Sequence, residues 1–205
     1  MNANHALPRF YPIVESAEWV ERLVSCRARL IQLRIKDRAE AHVRTEVRAA
    51  LEACRRRGAT LVVNDYWRIA IDEGCSFVHL GQGDLEGADV PAIRDTGIRI
   101  GVSTHDHAEL ERALTIEPDY VALGPIFPTV LKAMPWAPQG LERIGEWKRR
   151  IGRIPLVAIG GLTPERALAA LAAGADAAAV VTDIVRHPEP EARAREWAAA
   201  LETQS

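Results

Sequence analysis

Short apolar runs and amphipathic stretches alternate along this chain, and most runs end in polar residues or glycine before the next stretch begins. Phe10-Tyr11-Pro12-Ile13-Val14 is the first run. Ser16, a good helix N-cap, follows it, and Trp19, Val20, Leu23 and Val24 then recur at helical spacing. From Leu30 to Lys36 the period drops to two, with Ile31, Leu33 and Ile35 on one face and Gln32, Arg34 and Lys36 on the other, as in a strand ending at Asp37. Ala39 to Arg57 is charged and alanine-rich, and Val43, Val47, Ala50, Leu51 and Cys54 share one side of the helix this predicts, with Gly58 as its stop. Thr60-Leu61-Val62-Val63 is an uninterrupted, branched run of the kind buried on both faces of a sheet, and it ends in Asn64-Asp65.

The unit repeats. Strands are expected at Phe77 to Leu80, Ile98 to Val102, Tyr120 to Leu123, Pro155 to Ile159 and Ala178 to Val181. Helices are expected from Trp67 to Glu73, Val90 to Asp95 and Ala108 to Leu114, around Ile144 and Trp147, after the Thr163-Pro164 start, and from Glu189 to Leu201. Eight strand–helix units joined by short turns imply a parallel sheet, and closure of that sheet gives the expected fold class: α/β, a compact single-domain TIM (β/α)8 barrel over residues 1–205. An open doubly wound sheet is the alternative. When it binds dinucleotides it carries a glycine-rich first turn, whereas the first turn here, Glu15-Ser16-Ala17, has no glycine.

Composition narrows the partners. The 205 residues are 48% hydrophobic and 26% charged, an ordinary globular balance, and the formal net charge of -2 argues against a general nucleic-acid surface. An anion would have to be held by local cations. Cys26, Cys54 and Cys75 share no metal-ligand spacing and read as small core residues in a reducing compartment. The first eight residues lack the pattern of a signal peptide and no stretch has the apolar length of a membrane span, so a cytoplasmic location is expected.

The barrel expectation changes the meaning of the alternating strand. On an open sheet Gln32, Arg34 and Lys36 would face water; in a closed barrel they line its mouth. Active sites of such barrels lie at the C-terminal ends of the strands. The residues there are Arg34 and Lys36; Asn64 and Asp65; Gln82 and Asp84; Ser103 and His105; Gly124; Gly160 and Gly161; and Thr182. Asp65 and Asp84 end consecutive strands, and two carboxylates opposite two cations suit Mg²⁺ with substrate phosphate oxygens. Capping of the helix near Trp67 is an equally good reading of Asp65 alone. Gly160-Gly161 with Thr182 stand where phosphate binds in many such barrels, or make only a tight turn. His79, inside a strand, reads as a core histidine. The loop from Gly124 to Gly140 is long enough for a lid, with Thr129 and Lys132 able to reach a phosphate and Phe127 and Trp136 able to exclude water, or is a stiff surface loop.

These residues, in this order, resemble one family. Gln32-Leu33-Arg34-Ile35-Lys36-Asp37, Asn64-Asp65, His79-Leu80-Gly81-Gln82-Gly83-Asp84, Gly101-Val102-Ser103-Thr104-His105, Gly124-Pro125-Ile126-Phe127-Pro128-Thr129, Lys132 and Ala158-Ile159-Gly160-Gly161 are together similar to thiamine-phosphate synthase. The resemblance implies a transferase that joins hydroxymethylpyrimidine diphosphate to a thiazole phosphate and releases pyrophosphate. It implies that Gln32, Leu33, Arg34, Ile35, Lys36, Asn64, Ser103 and Lys132 bind the pyrimidine diphosphate, with Arg34, Lys36 and Lys132 as the catalytic cations. It places the thiazole phosphate at Thr129, Val130, Leu131, Gly161, Val181 and Thr182, and Mg²⁺ at Asp65 and Asp84. The implied partners are thus two small phosphorylated substrates, with no nucleic acid and no membrane; self-association into a homo-oligomer is left open. Two positions depart from the family pattern: Leu131 stands where threonine is usual, implying weaker thiazole binding, and Thr182 where serine is usual. A thiazole tautomerase on the same barrel, with His105 as acid/base, and a non-catalytic phosphate-binding barrel are the alternatives.

Overall fold

The computed structural model describes residues 6–129 and 136–202. Its strands are β1 (Phe10–Val14), β2 (Leu30–Leu33), β3 (Thr60–Asn64), β4 (Phe77–Leu80), β5 (Arg99–Thr104), β6 (Tyr120–Leu123), β7 (Leu156–Ile159) and β8 (Ala177–Val180). The helices among the described residues are α1 (Ala17–Ser25), α2 (Glu40–Arg57), α3 (Trp67–Asp72), α4 (Gln82–Glu86), α5 (Val90–Asp95), α6 (His107–Leu114), α7 (Gly140–Ile151), α8 (Pro164–Ala172), α9 (Thr182–Val185) and α10 (Pro190–Glu202). Every strand pairs in parallel with its sequence neighbours, and β8 returns to β1 through Phe10 opposite Ala178, so the sheet is a closed barrel. The open doubly wound sheet is thereby excluded.

The period of two decides what each strand residue meets. Tyr11, Ile13, Leu30, Val62, Phe77, Tyr120, Ala122 and Val157 form one apolar cluster, the filling of the barrel. Their neighbours in sequence, such as Ile31, Leu33, Val63, Val78 and Val121, join a second and larger cluster with helix residues including Val20, Val47, Leu110, Trp147 and Trp197. The helices start where the sequence has caps: Ser16, Asp89, Asp106 and Thr163 each accept a backbone N–H from the first turn of the helix that follows. Gly58 stops α2 in the left-handed conformation expected of it. Cys26, Cys54 and Cys75 are free and buried, and burial pushes the thiols of Cys54 and Cys75 up to about 12 and about 11.

Two short helices are additions to the sequence reading. The stretch after β4 is not an open loop: residues 82–86 wind into α4. Thr182, expected only as a strand end, opens α9. Asp183 fixes α9 to α10, accepting from Trp197 Nε1 at 2.7 Å and from Arg193 Nε at 2.7 Å. Conversely β2 ends at Leu33, short of Lys36, because its partner β1 ends at Val14 and the last bond of the ladder runs from Arg34 N to Val14 O at 2.7 Å. No helix among the described residues is long and apolar enough to cross a membrane.

One close approach depends on an absent side chain. Gly101 on β5 lies under the ring of Tyr120 on β6, and a Cβ there would fall 2.1 Å from the Tyr120 Cζ atom. Overpacking of that kind costs roughly 1–3 kcal/mol or more. Gly101→Ala is therefore expected to lower the unfolding free energy by at least about 2 kcal/mol in urea titration. Gly83→Ala in α4, where a Cβ meets nothing within 4 Å, is expected not to destabilise.

Candidate active site

The C-terminal mouth of the barrel holds most of the polar residues expected of it. Gln32, only 2% exposed, faces inward from β2, and Arg34 and Lys36 continue that face beyond the strand end and are exposed. Lys36 donates to the carboxylate of Asp65, which Asn64 Nδ2 also approaches at 2.5 Å. Asp65 sits in the left-handed region at φ 64°, directly after β3, and its backbone N–H donates to His79 O at 2.9 Å. Its side chain is thereby committed to the mouth. The helix that follows has Tyr66 at its N-cap and no side-chain cap, so Asp65 does not perform the capping that its sequence position suggested.

Asp84 comes from the first turn of α4, with its carboxyl near enough to Asp65 to feel its charge. Burial first, then the negative charge of Asp65, hold the Asp84 carboxyl above its usual range, and the positive charge of Lys36 opposes this. The site therefore carries more negative charge than Lys36 alone relieves. Two neighbouring carboxylates are a donor set that would suit Mg²⁺ where substrate oxygens supplied the rest.

Not every residue of the expected pyrimidine segment presents its side chain. Leu33 and Ile35 are buried in the outer cluster against the helices, so only their backbone could face a substrate. The alternation that put Gln32, Arg34 and Lys36 at the mouth turns these two away from it. Gln82 also turns elsewhere: its Nε2 donates to Ser103 O at 2.7 Å, bracing β5. On the other side, Val181 packs against the barrel filling and Thr182 follows it into α9. Gly160 and Gly161 have φ of 100° and 65°, and a Cβ on them would collide with Pro125 Cα at 2.6 Å and Pro128 O at 2.4 Å. This glycine pair thus lets the turn after β7 nest against the loop that carries Thr129. Val130, Leu131 and Lys132 lie outside the described residues.

Beneath the mouth runs a feature that the linear sequence did not suggest. Gln32 Nε2 donates to Tyr11 Oη at 2.9 Å, Tyr11 Oη meets Tyr120 Oη at 2.9 Å, Tyr120 Oη meets His79 Nδ1 at 2.7 Å, and His79 Nε2 meets Ser103 Oγ at 2.8 Å. Five strands contribute one residue each. His79 is a core histidine, as its place in a strand implied, but one wired to two residues of the expected site. Burial pushes its imidazole down to about 4; Asp65 opposes that shift, while Arg34 and Lys36 add to it, which places all three charges around the same ring. The phenols of Tyr11 and Tyr120 are raised well beyond their usual value, burial again being the main cause. Only the apolar look of Phe10 to Val14 and Tyr120 to Leu123 was legible in sequence; the signal available was two tyrosines at alternate, inward positions of strands.

His105 is held differently. Its Nδ1 pairs with Glu109 at 2.7 Å and its ring stacks on Trp136 at 3.9 Å, while Gln139 Nε2 donates to its carbonyl at 2.9 Å. These contacts bind the far end of the Gly124 to Gly140 loop to the β5 end. They engage the imidazole that a tautomerase would need as its acid/base group.

Comparison with known proteins gives the family. A model of the family described as thiamine monophosphate synthase matches residues 10–184. The chain belongs to that family. A thiamine-phosphate synthase from Rhizobium etli is 61% identical over 194 residues, covering 95% of each chain. A thiamine-phosphate synthase from Cronobacter sakazakii is 50% identical over 179 residues, covering 87% of this chain and 85% of that one. Among solved structures, a thiamine phosphate pyrophosphorylase from Pyrococcus furiosus superposes with a TM-score of 0.85 at 24% identity over 98% of each chain, a likeness of fold. The chain is thus an enzyme, a transferase, on the barrel that its sequence implied.

The low-lying imidazole of His79 gives this member a testable acid sensitivity. Above the ordinary histidine value of 6.5 the ring is neutral in both folded and unfolded chains. Between 6.5 and about 4 the unfolded chain binds a proton that the folded chain refuses, so stability falls as pH falls through this window and the loss is complete below it. The full loss from this group is roughly 3 kcal/mol. The drop in unfolding free energy between pH 7 and 5 is expected to be visibly shallower in His79→Gln than in the wild type, measured by urea denaturation.

Proposed function

We propose that this enzyme is a thiamine-phosphate synthase, which condenses hydroxymethylpyrimidine diphosphate with 4-methyl-5-(2-phosphoethyl)thiazole or its carboxylated form. One observation carries the reading beyond family membership: Arg34, Lys36, Asp65 and Asp84, from three different strand–helix units, converge on one mouth above Gln32, Asn64 and Ser103. Two cations beside two carboxylates suit a ligand that is strongly anionic and brings a divalent cation with it.

In this reading Gln32, Asn64 and Ser103 orient the pyrimidine end, while Arg34 and Lys36 hold the diphosphate, the guanidinium fork of Arg34 matching phosphate oxygens. Asp65 and Asp84 would hold Mg²⁺, which when bound neutralises charge on the departing diphosphate. Lys36 leaves its resting pairing with Asp65 for a phosphate oxygen. The bond between the pyrimidine methylene carbon and the diphosphate oxygen breaks first, its electron pair leaving with pyrophosphate. The resulting pyrimidine-stabilised cation then accepts the lone pair of the thiazole nitrogen, so no general base is required for the new carbon–nitrogen bond. Thr129, Gly161, Val181 and Thr182 would receive the thiazole phosphate, and Lys132 would contact the pyrimidine diphosphate. Three free, buried cysteines support a reducing, cytoplasmic setting.

Pyrophosphate release should require the pyrimidine diphosphate and added Mg²⁺, and thiamine phosphate should form only when the thiazole phosphate is also present. Arg34→Met is expected to lower kcat/KM by on the order of 100-fold, the scale for removing one preorganised charge-stabilising donor, with an unchanged unfolding midpoint. Full activity in Arg34→Met would reduce the polar face of β2 to scaffold. A chelator should abolish turnover and excess Mg²⁺ should restore it.

A further inference from the structure

The five-residue chain under the mouth has a direction. A primary amide nitrogen only donates, so the hydroxyl oxygen of Tyr11 accepts from Gln32 Nε2. With Tyr11 accepting from Gln32, every hydroxyl proton finds an acceptor inside the chain if Tyr11 donates to Tyr120 Oη and Tyr120 donates to His79 Nδ1. An imidazole that accepts at Nδ1 carries its single hydrogen on Nε2 and donates it to Ser103 Oγ. Ser103, with its oxygen already accepting from within, turns its own proton outward. In this arrangement each hydroxyl gives its single hydrogen to the next acceptor, so that no buried proton is left unpaired.

We propose that Tyr11, Tyr120 and His79 are positioning residues that fix Ser103 as a hydrogen-bond donor toward the mouth of the barrel, so that the site selects an acceptor atom on the bound pyrimidine diphosphate. The inference rests on the reading of Ser103 as a pyrimidine-diphosphate contact. It assigns a role to two tyrosines and a histidine buried beneath the mouth. Burial makes the arrangement stiff: Tyr11 is 1% and Tyr120 0% exposed, so both phenols are held away from bulk solvent.

Two measurements test it. In the uniformly ¹⁵N-labelled protein at neutral pH, His79 should show a protonated Nε2 and an unprotonated Nδ1. A protonated Nδ1 would reverse the chain and overturn the proposal. In Tyr120→Phe the hydroxyl that feeds Nδ1 is gone, the His79 tautomer becomes mixed, and the KM for the pyrimidine diphosphate should rise about tenfold, the scale of one hydrogen bond, while the KM for the thiazole phosphate stays within twofold. Tyr11→Phe, which leaves the Tyr120–His79 contact intact but removes the donor behind it, should give a smaller shift in the same KM. Should Tyr120→Phe fail to fold, the Tyr11→Phe kinetics and the wild-type spectrum decide between the outcomes. Ser103→Ala separates the inference from the reading beneath it. If Ser103→Ala raises the pyrimidine KM and neither tyrosine variant does, the positioning role fails alone; if Ser103→Ala leaves that KM unchanged, the assignment of Ser103 to the substrate fails first.

Discussion

A barrel closed on itself has nowhere to put a polar side chain except against another one. The inward faces of β1, β2, β4, β5 and β6 nonetheless carry Tyr11, Gln32, His79, Ser103 and Tyr120, and leaving any of these polar atoms unpaired away from water would cost about 1–3 kcal/mol. The solution is a single connected chain, and among the described residues no buried side-chain nitrogen or oxygen lacks a partner. Satisfaction of that chain constrains much of the remaining interior. It requires the Tyr120 ring to lie flat over a residue with no side chain, which is Gly101, and stacked on His79 at 5.5 Å. It also holds Gln32 and Ser103 at fixed height just below the exposed charges.

Those charges sit one layer higher and obey different physics. Arg34 and Lys36 are at the solvent edge, where an isolated ion pair contributes little, and Lys36 with Asp65 adds little to stability on its own account. Asp84 is exposed as well, yet partial desolvation and then the charge of Asp65 hold its carboxyl above its usual range. Setting the Asp84 carboxyl from α4 beside that of Asp65 after β3 is a cost in stability without a ligand, and such costs gather where function demands them. The left-handed backbone at Asp65 belongs to the same pattern: a non-glycine residue strained locally to aim its side chain.

How much of this was legible beforehand follows from the range of each interaction. Strands and caps are local, so Ser16, Gly58 and Thr163 marked their elements from one or two neighbours, and the alternation from Leu30 to Lys36 sorted Gln32 from Leu33 correctly. Barrel closure was legible only as a count of eight repeats, since nothing local says that β8 meets β1. The short helices α4 and α9 escaped because five and four residues give too few turns for a 3.6-residue period to register. Asp65 showed the limit of local reasoning in the other direction. Aspartate just before a helix is ordinarily a cap, but here Lys36 and Asn64, 29 and 1 residues away, claim its carboxylate.

The hydrogen-bond chain was invisible for a deeper reason. Its links join residues 21, 109, 41 and 24 positions apart, and no property of Tyr11 or Tyr120 in sequence distinguishes a phenol that packs from one that relays a proton's position. What joins them is the closed topology, which brings five strands round one axis and buries both phenols. The same closure that lets the barrel bury its apolar filling therefore gives its polar residues a fixed orientation. The charged rim supplies attraction for an anionic ligand that many surfaces could offer; a hydroxyl held by a buried hydrogen-bond chain adds direction to it, and the closed interior is what holds that chain.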